Sequence, residues 1–230
     1  MDLKRVKSFF AKGLEDFDAD ACKDTKPIEP GTVDAKYDFK PPEDGMVVRV
    51  HSKILGGYEK PVDARQAAYQ RSVGQDSLWL TAEDKKKLIE AVRKNGDIPT
   101  EIAYRIARYN LIDNTRGEPP RWDKEQVKSI KMKVNDGVVT GSVKLSTEDA
   151  KRGYDAEIFG HIDVEGEEVT RFDLAAEGKF WGEGRHTGWA PKGKFPLAIT
   201  FRLVDASTAE GHVIPHGAKG WLDGYYQCAN

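Results

Sequence analysis

Four of the five histidines of this 230-residue chain lie in its second half, and imidazole is the commonest metal-binding side chain. These four are His161, His186, His212 and His216. Two or three of them could hold Zn²⁺ or a similar divalent ion, with Glu157, Asp163 or Glu183 as general base beside metal-bound water. His212 and His216 are four residues apart, but the proline between them argues against the helix that makes such pairs converge. The other interpretation is that the histidines are separate surface or hydrogen-bonded side chains.

A second segment with chemical potential is the turn-rich stretch of residues 180–189, FWGEGRHTGW. It combines aromatic rings, glycines that let another molecule approach the backbone, and charged side chains. Small-molecule sites mix apolar walls with a few polar groups in this way. The predicted ligand-binding residues are Trp181, Glu183, Arg185, His186 and Trp189. The alternative interpretation is a glycine-rich connection whose two tryptophans cap the core.

A third candidate is a carboxylate pair beside an arginine, Asp113, Glu118 and Arg116, which could perform acid–base chemistry. The simpler interpretation is that Asp113 caps a turn and that Arg116 joins the two halves of the chain by a salt bridge. The sequence has none of the motifs of serine hydrolases, zinc proteases or kinases, and no cysteine with a histidine near it in sequence. No nucleophile can therefore be assigned.

These observations favour a non-catalytic binding or interaction protein, in which the loop of residues 180–189 holds a small molecule or a protein partner. The alternative function is a metal-dependent hydrolase with a histidine-based site in the second half of the chain. No cofactor is predicted apart from Zn²⁺ or a similar ion in that alternative. The sequence leaves the oligomeric state open.

The charge and hydropathy of the chain exclude several classes of partner. Lys and Arg (36) nearly balance Asp and Glu (38), so the net charge of −2 provides no field that would attract nucleic acid. No apolar run approaches the roughly 20 residues that span a bilayer, which predicts a soluble protein without membrane insertion. The first residues also lack the apolar stretch of a signal peptide.

The first half of the chain has helical periodicity and many turn formers. Apolar spacing predicts an amphipathic helix at residues 4–17, a strand at 46–54 and a helix at 63–72. Thr81 to Asp84 resembles a capping box and begins a helix, and a second helix at 99–110 completes an αα-hairpin. The segment DNTRGEPPRW at residues 113–122 then ends helical structure, which predicts a boundary near residue 120.

The second half alternates apolar and polar residues with the period of a β-strand. Strands are predicted within residues 130–134, 154–164, 170–176 and 197–203, with a closing strand at 221–227. A three-residue loop at 165–167 would pair Ile162 with Thr170 and keep apolar residues opposite each other. The predicted fold is α+β: a mixed helical and irregular part at residues 1–120, and an antiparallel sheet at 121–230 that curls into a barrel or half-barrel.

Two cysteines, Cys22 and Cys228, are too few for a disulfide-rich scaffold. They lie near the two ends of the chain, and chain ends often meet at a domain surface. A single bridge between them and two ordinary thiols are both compatible with the sequence.

The segments RIARY, DNTRGEPPRW, RGYDAEIFG and FWGEG resemble a pattern in uncharacterised bacterial proteins of unknown function, many of them exported. The resemblance covers about residues 46–204. It implies a location outside the cytoplasm, and it brings no catalytic residues with it.

Overall fold

The computed structural model describes residues 3–15 and 38–227. The chain divides into two units, of which the first contains helix α1 (Leu3–Glu15) and the second begins at Phe39. Helix α1 confirms the predicted helix over residues 4–15, and residues 16 and 17 of that prediction lie outside the described residues. Cys22 and Cys228 lie outside the described residues, so the disulfide stays a prediction.

The second unit is built on one antiparallel sheet of seven strands. The strands are β1 (Met46–Ile54), β2 (Gly74–Leu80), β3 (Val127–Asn135), β4 (Val138–Ser146), β5 (Gly153–Glu165), β6 (Glu168–Trp181) and β7 (Lys194–Val204). Their order in the sheet is β2-β1-β7-β6-β5-β4-β3. The α+β class and the antiparallel sheet are therefore confirmed. The sheet is not closed into a barrel, since β2 and β3 are its two edges, and a half-barrel curvature stays a prediction.

Strands from both sides of residue 120 share this sheet. β1 pairs with β7 along its length, with Val50 opposite Phe201. β2, which the alternation of residues did not single out, pairs with β1 and forms one edge. Strand pairing does not test whether the segments before and after residue 120 fold separately, so that boundary stays a prediction.

Short helices follow β1, β2 and β7. They are α2 (Ala64–Arg71), α3 (Ala82–Arg93), α4 (Thr100–Arg105), a π-helix (Ile106–Asn110), two 3₁₀ turns (Lys124–Gln126 and His216–Ala218) and α5 (Leu222–Tyr226). The capping box begins α3 as predicted, because Thr81 Oγ1 accepts the Asp84 N–H and the Asp84 carboxylate accepts the Thr81 N–H.

The closing strand predicted at residues 221–227 is wrong, because helix α5 occupies that segment. The Tyr225 hydroxyl, carried by α5, accepts the backbone N–H of Trp79 on the outer side of β2 at 3.1 Å. The segment therefore covers the edge of the sheet without adding a strand to it. A covered edge is protected from pairing with another chain.

The β5–β6 register also differs from the prediction. The turn has two residues, since Glu165 pairs with Glu168, and Ile162 lies opposite Phe172 instead of Thr170. A β-bulge between these pairs leaves Thr170 as the extra residue on β6. Without the bulge, a two-residue turn would place Ile162 opposite Arg171. The bulge instead keeps Ile162 opposite the apolar Phe172.

The main core lies between one face of the sheet and helices α3 and α4. Val48 and Leu78 from the sheet, with Leu88 and Ile102 from the helices, are fully buried in it. A smaller cluster covers the other face near β2. Its members are Val47, Trp79, Tyr109, Ala218 and Tyr225. Strands β1 and β2 are therefore buried on both faces, and the loops at their ends are held against a rigid base.

Candidate functional site

The loop predicted to bind a ligand begins and ends at one strand pair. Trp181, the last residue of β6, pairs with Lys194, the first residue of β7. The Trp181 indole N–H donates to the Ala150 carbonyl at 2.9 Å, and the Lys194 ammonium lies 4.4 Å from the centre of the indole ring. Trp181 therefore anchors one end of the β6–β7 connection, residues 182–193, which contains most of the loop of residues 180–189.

Three glycines of this loop have different surroundings. A Cβ on Gly182, where φ is +82°, would lie 2.1 Å from the Lys151 carbonyl oxygen. A Cβ on Gly184 would lie 2.8 Å from a carbon of Pro120. Nothing lies within 4 Å of a Cβ on Gly188. Gly182 and Gly184 allow close packing within the chain itself. Gly188, which lies next to Trp189, is the one of these three glycines with open space beside its backbone.

The loop is closed by hydrogen bonds between its own residues. The Gly184 N–H donates to Thr187 Oγ1 at 2.7 Å, and the Thr187 N–H donates to the Gly184 carbonyl at 3.1 Å. The Glu183 carboxylate accepts the Ala190 N–H at 2.7 Å. Thr187 is buried. Glu183 therefore stabilises the loop, while Arg185 and His186 are exposed at its tip.

Arg116 holds the loop in place through hydrogen bonds to its backbone carbonyls. Its guanidinium donates to the carbonyls of Thr187 at 3.3 Å and Gly188 at 3.1 Å, and to the Tyr58 hydroxyl at 3.1 Å. It also forms an ion pair with Asp113, and the two side chains are only 1% and 2% exposed. We call these two residues the Arg116 clamp. The ion pair of Arg116 is local to the 113–116 turn, and the salt bridge expected between the two halves of the chain is not formed by this side chain among the described residues. Hydrogen bonds from Arg116 to the Thr187 and Gly188 carbonyls join the turn to the loop.

Trp189 is the exposed end of this arrangement. Its side chain is 51% exposed, and its φ of +71° lies in the left-handed region that large side chains rarely adopt. The ring makes an edge contact with Tyr69 of α2 at 5.1 Å between centroids. The Arg65 guanidinium lies 5.0 Å from the ring centre. Backbone strain of this kind persists only where the surroundings impose it.

Two of the four predicted metal-binding histidines approach one carboxylate. His216 Nδ1 lies 3.9 Å from Glu118 Oε1. The Lys219 ammonium, with smaller contributions from His216 and His186, holds the pKa of Glu118 below its usual range. The backbone of His186 packs against Gly117, the residue before Glu118, so His186 and His216 lie on either side of the same segment.

The other two histidines lie elsewhere. His161 sits on β5 between Val138 and Asp173, eight residues along the strand from Gly153, which pairs with Trp181. That spacing is roughly 26 Å. His212 lies in the turns after β7, exposed to solvent. Across residues 3–15 and 38–227, no three His, Cys, Asp or Glu side chains are arranged to hold a metal ion.

The proposed general bases have other surroundings. Asp163 forms an exposed ion pair with Arg171 at 3.8 Å, and Glu157 lines a groove beside β3 and β4. Glu183 belongs to the loop as described above. These three carboxylates are therefore spread over separate parts of the sheet and its loops.

Sequence reasoning missed a buried polar cluster at the edge strand. Asp76 is 3% exposed, and its carboxylate accepts the backbone N–H groups of Ser77 at 2.7 Å and His216 at 2.8 Å. The Asn110 amide, at the end of the π-helix, donates to it at 3.3 Å. Burial raises the pKa of Asp76 to about 6. No sequence motif marked this cluster, since Ser77 separates Asp76 from the apolar run of residues 78–80 and its partners Asn110 and His216 are distant in sequence.

Comparison with known proteins adds no name to these features. No protein-family model, no curated protein and no solved structure matches the chain. In the described part of the chain, no helix is long and apolar enough to cross a bilayer. The functional assignment therefore depends on the site itself.

Proposed function

We propose that this chain is a non-catalytic binding or interaction protein, and that the loop of residues 180–189 holds a small molecule or a protein partner. The observation that carries the proposal is the state of Trp189, which is half exposed on a strained backbone that the buried Arg116 clamp supports. Folding stability alone favours a buried tryptophan in a relaxed conformation. A loop built to expose one is organised for recognition.

The five predicted residues divide into two roles in this proposal. Trp181 and Glu183 support the loop, since their polar atoms are engaged with Ala150 and Ala190. The exposed side chains of Arg185, His186 and Trp189 contact the ligand. Tyr69 adds a second aromatic ring beside Trp189, and the Arg65 guanidinium packs over the Trp189 ring. Both contacts restrict the ring before binding, which lowers the conformational entropy lost on association.

The proposal is tested by removing one tryptophan and retaining a matched one. Trp221 is 45% exposed and carries Arg121 at 4.3 Å from its ring, so it resembles Trp189 in exposure and charge environment. Fragment binding would be followed through the ¹⁵N indole signals of the five tryptophans. We expect Trp189→Ala to weaken binding about tenfold or more, and Trp221→Ala to leave it unchanged.

Two results would count against the binding loop. One is a Trp189→Ala protein that binds every fragment as the wild type does. The other is a set of fragments that perturbs Trp221 or the core signals and leaves the Trp189 indole unaffected. Either result would move the binding site away from residues 180–189.

A metal-dependent hydrolase stays the second proposal, because His186 and His216 both lie near Glu118. In this proposal the two imidazoles and the carboxylate draw together on binding a divalent ion. Elemental mass spectrometry of untagged protein, before and after mild chelation, tests it. Stoichiometric metal that is lost in His186→Ala or His216→Ala supports the proposal, and metal-free protein after incubation with Zn²⁺ rejects it.

A further inference from the structure

A cleft lined by several cationic side chains adjoins the first part of the loop. A cleft of about 350 Å³ lies between the residues that follow the 113–118 turn, the β4–β5 turn and the first part of the loop. Four cationic side chains line it, and they are Arg121, Lys151, Arg152 and Arg185. Its size is within the lower range of small-molecule sites. We call it the Arg152 cleft.

Arg152 is a buried charge without a carboxylate partner. The residue is 6% exposed, and its guanidinium lies 4.0 Å from the centre of the Trp122 ring. Its two terminal nitrogens donate to the carbonyls of Pro120 at 3.1 Å and Arg121 at 3.5 Å. Nε is buried and has no hydrogen-bond partner. Among the described residues no carboxylate forms an ion pair with it within 4 Å. Burial lowers the pKa of Arg152, and the more distant charge of Asp123 opposes that shift only in part.

The acidic residues around the cleft are already engaged. Asp149 pairs with the Lys151 ammonium at 3.0 Å and accepts the Thr147 hydroxyl at 2.8 Å. Asp123 accepts the side-chain amide of Gln126 at 3.1 Å. Glu183 accepts the Ala190 N–H, as described above. The charges of Asp149 and Lys151 neutralise each other. The remaining lining has three guanidinium groups and only two carboxylates, those of Asp123 and Glu183, which already accept hydrogen bonds.

We propose that the Arg152 cleft binds the phosphate group of a small molecule, with Arg121, Arg152 and Arg185 as its donors. A guanidinium presents a planar fork of N–H groups that matches phosphate oxygens. A bound anion would supply the counter-charge that Arg152 lacks, and a buried charge is expensive while unpaired. The inference rests on the proposed function in that the loop supplies one wall, through Gly184 and Arg185.

The test uses inorganic phosphate as the probe and the full chain, followed by ¹H–¹⁵N NMR at constant ionic strength. We expect saturable shifts of the amides at residues 151–152 and 183–185. Arg185→Ala should weaken phosphate binding about tenfold, because it removes one charge-assisted contact. Arg121→Ala should act in the same direction. Arg93→Ala removes an exposed arginine at the end of α3, outside both proposed sites, and should leave phosphate affinity unchanged.

Several results would overturn the phosphate site. They are linear shifts that chloride reproduces, shifts that Arg185→Ala and Arg93→Ala reduce equally, and a response to acetate that exceeds the response to phosphate. Arg152 packs on Trp122, so its replacement risks the fold, and the wild-type titration with Arg185→Ala carries the test.

Trp189→Ala separates this inference from the proposed function. Phosphate binding that persists in Trp189→Ala, with fragment binding also unchanged, supports the phosphate site and rejects Trp189 as the recognition surface. Fragment binding that depends on Trp189, with no phosphate response in the wild type, supports the proposed function and rejects the phosphate site.

Discussion

Two regions of the molecule share two features. Each has a buried Asp–Arg ion pair, and each has a buried ionisable side chain that forms no ion pair with any described residue. At the edge of β2 the pair is Asp84–Arg105 and the lone charge is Asp76. At the base of the loop the pair is Asp113–Arg116 and the lone charge is Arg152. The regions differ in what covers the lone charge.

At the edge of β2, the C-terminal segment seals the charges. Arg105 lies 2.6 Å from Asp84 and donates to the Tyr226 carbonyl at 2.8 Å. The backbone N–H of His216, in the same segment, donates to Asp76. The Arg105 guanidinium also lies 5.4 Å from the rings of both Tyr225 and Tyr226. The polar groups here hold one part of the chain on another.

At the base of the loop, the ion pair is sealed but the lone charge borders open space. Arg116 binds loop carbonyls much as Arg105 binds the Tyr226 carbonyl, whereas Arg152 lines a cleft. In the proposals above, the first region is structural and the second accepts another molecule. Removing one charge at a time tests whether the two regions differ in this way.

The largest effect is expected for Arg105→Met. The substitution leaves Asp84 buried without its partner and frees the Tyr226 carbonyl, so we expect the free energy of unfolding to fall by about 3–5 kcal/mol. Chemical denaturation followed by tryptophan fluorescence measures it. Arg93→Ala, which removes an exposed pair with Glu167 at the end of α3, should cost less than about 1 kcal/mol. Equal losses in the two variants would mean that the edge region is not held by its buried pair.

Much of the fold follows from local sequence signals. The capping box at Thr81 fixes the start of α3, and alternation places the apolar face of β5 and β7. Contacts distant in sequence were beyond local reasoning. Nothing near Trp221 indicates that its neighbour Tyr225 must satisfy the N–H of Trp79, so the segment was interpreted as a strand. The bulge at Thr170 likewise depends on core packing across two strands.

The loop was predicted as a candidate site from composition, because aromatic residues, glycines and charges are close in sequence. The Arg116 clamp could be suspected as an ion pair, but its carbonyl partners Thr187 and Gly188 are 71 and 72 residues away. The lone charges Asp76 and Arg152 gave no motif at all. Burial without a counter-charge is a property of the folded chain and has no local sequence signature.

The second effect is a change in pH dependence for Asp76→Asn. Burial raises the pKa of Asp76 from 3.8 to about 6, against hydrogen bonds from the N–H groups of His216 and Ser77. Between those two values the folded state holds a proton that the unfolded state has released, so stability falls as pH rises through the window. Asparagine removes this titration. We expect the wild type to lose roughly 3 kcal/mol more than the variant between pH 4 and pH 7.

The variant is expected to fold, because the Asn110 side-chain oxygen is buried without a partner and can accept from the new amide after rotation. Denaturation curves at several pH values measure the effect. Asp205→Asn is the control, since hydrogen bonds from Ser207 lower the pKa of this exposed carboxyl. Its stabilisation is lost only as pH falls below about 4. If the free energies of unfolding of the wild type and Asp76→Asn change in parallel from pH 4 to pH 7, the raised pKa of Asp76 is contradicted.

Of the three substitutions, Arg116→Ala is expected to change the free energy of unfolding least. It is also expected to accelerate hydrogen exchange in the loop most. The loop carbonyls of Thr187 and Gly188 lose their donor, but both can return to water if the loop detaches. Water can then also reach Asp113, so the free energy of unfolding should fall by only about 2 kcal/mol. Hydrogen exchange at the amides of Gly184, Thr187 and Ala190, which are bonded within the loop, should accelerate.

Arg116→Lys keeps the charge but cannot point donors at several partners at once, so its loop amides should also exchange faster than in the wild type. Lys192→Ala, which removes an exposed ion pair with Glu59 near the loop, is the matched control and should change neither exchange nor stability appreciably. If Arg116→Ala unfolds the protein as extensively as Arg105→Met, the loop base is part of the structural core. The distinction between a sealed structural region and an open recognition region would then be lost.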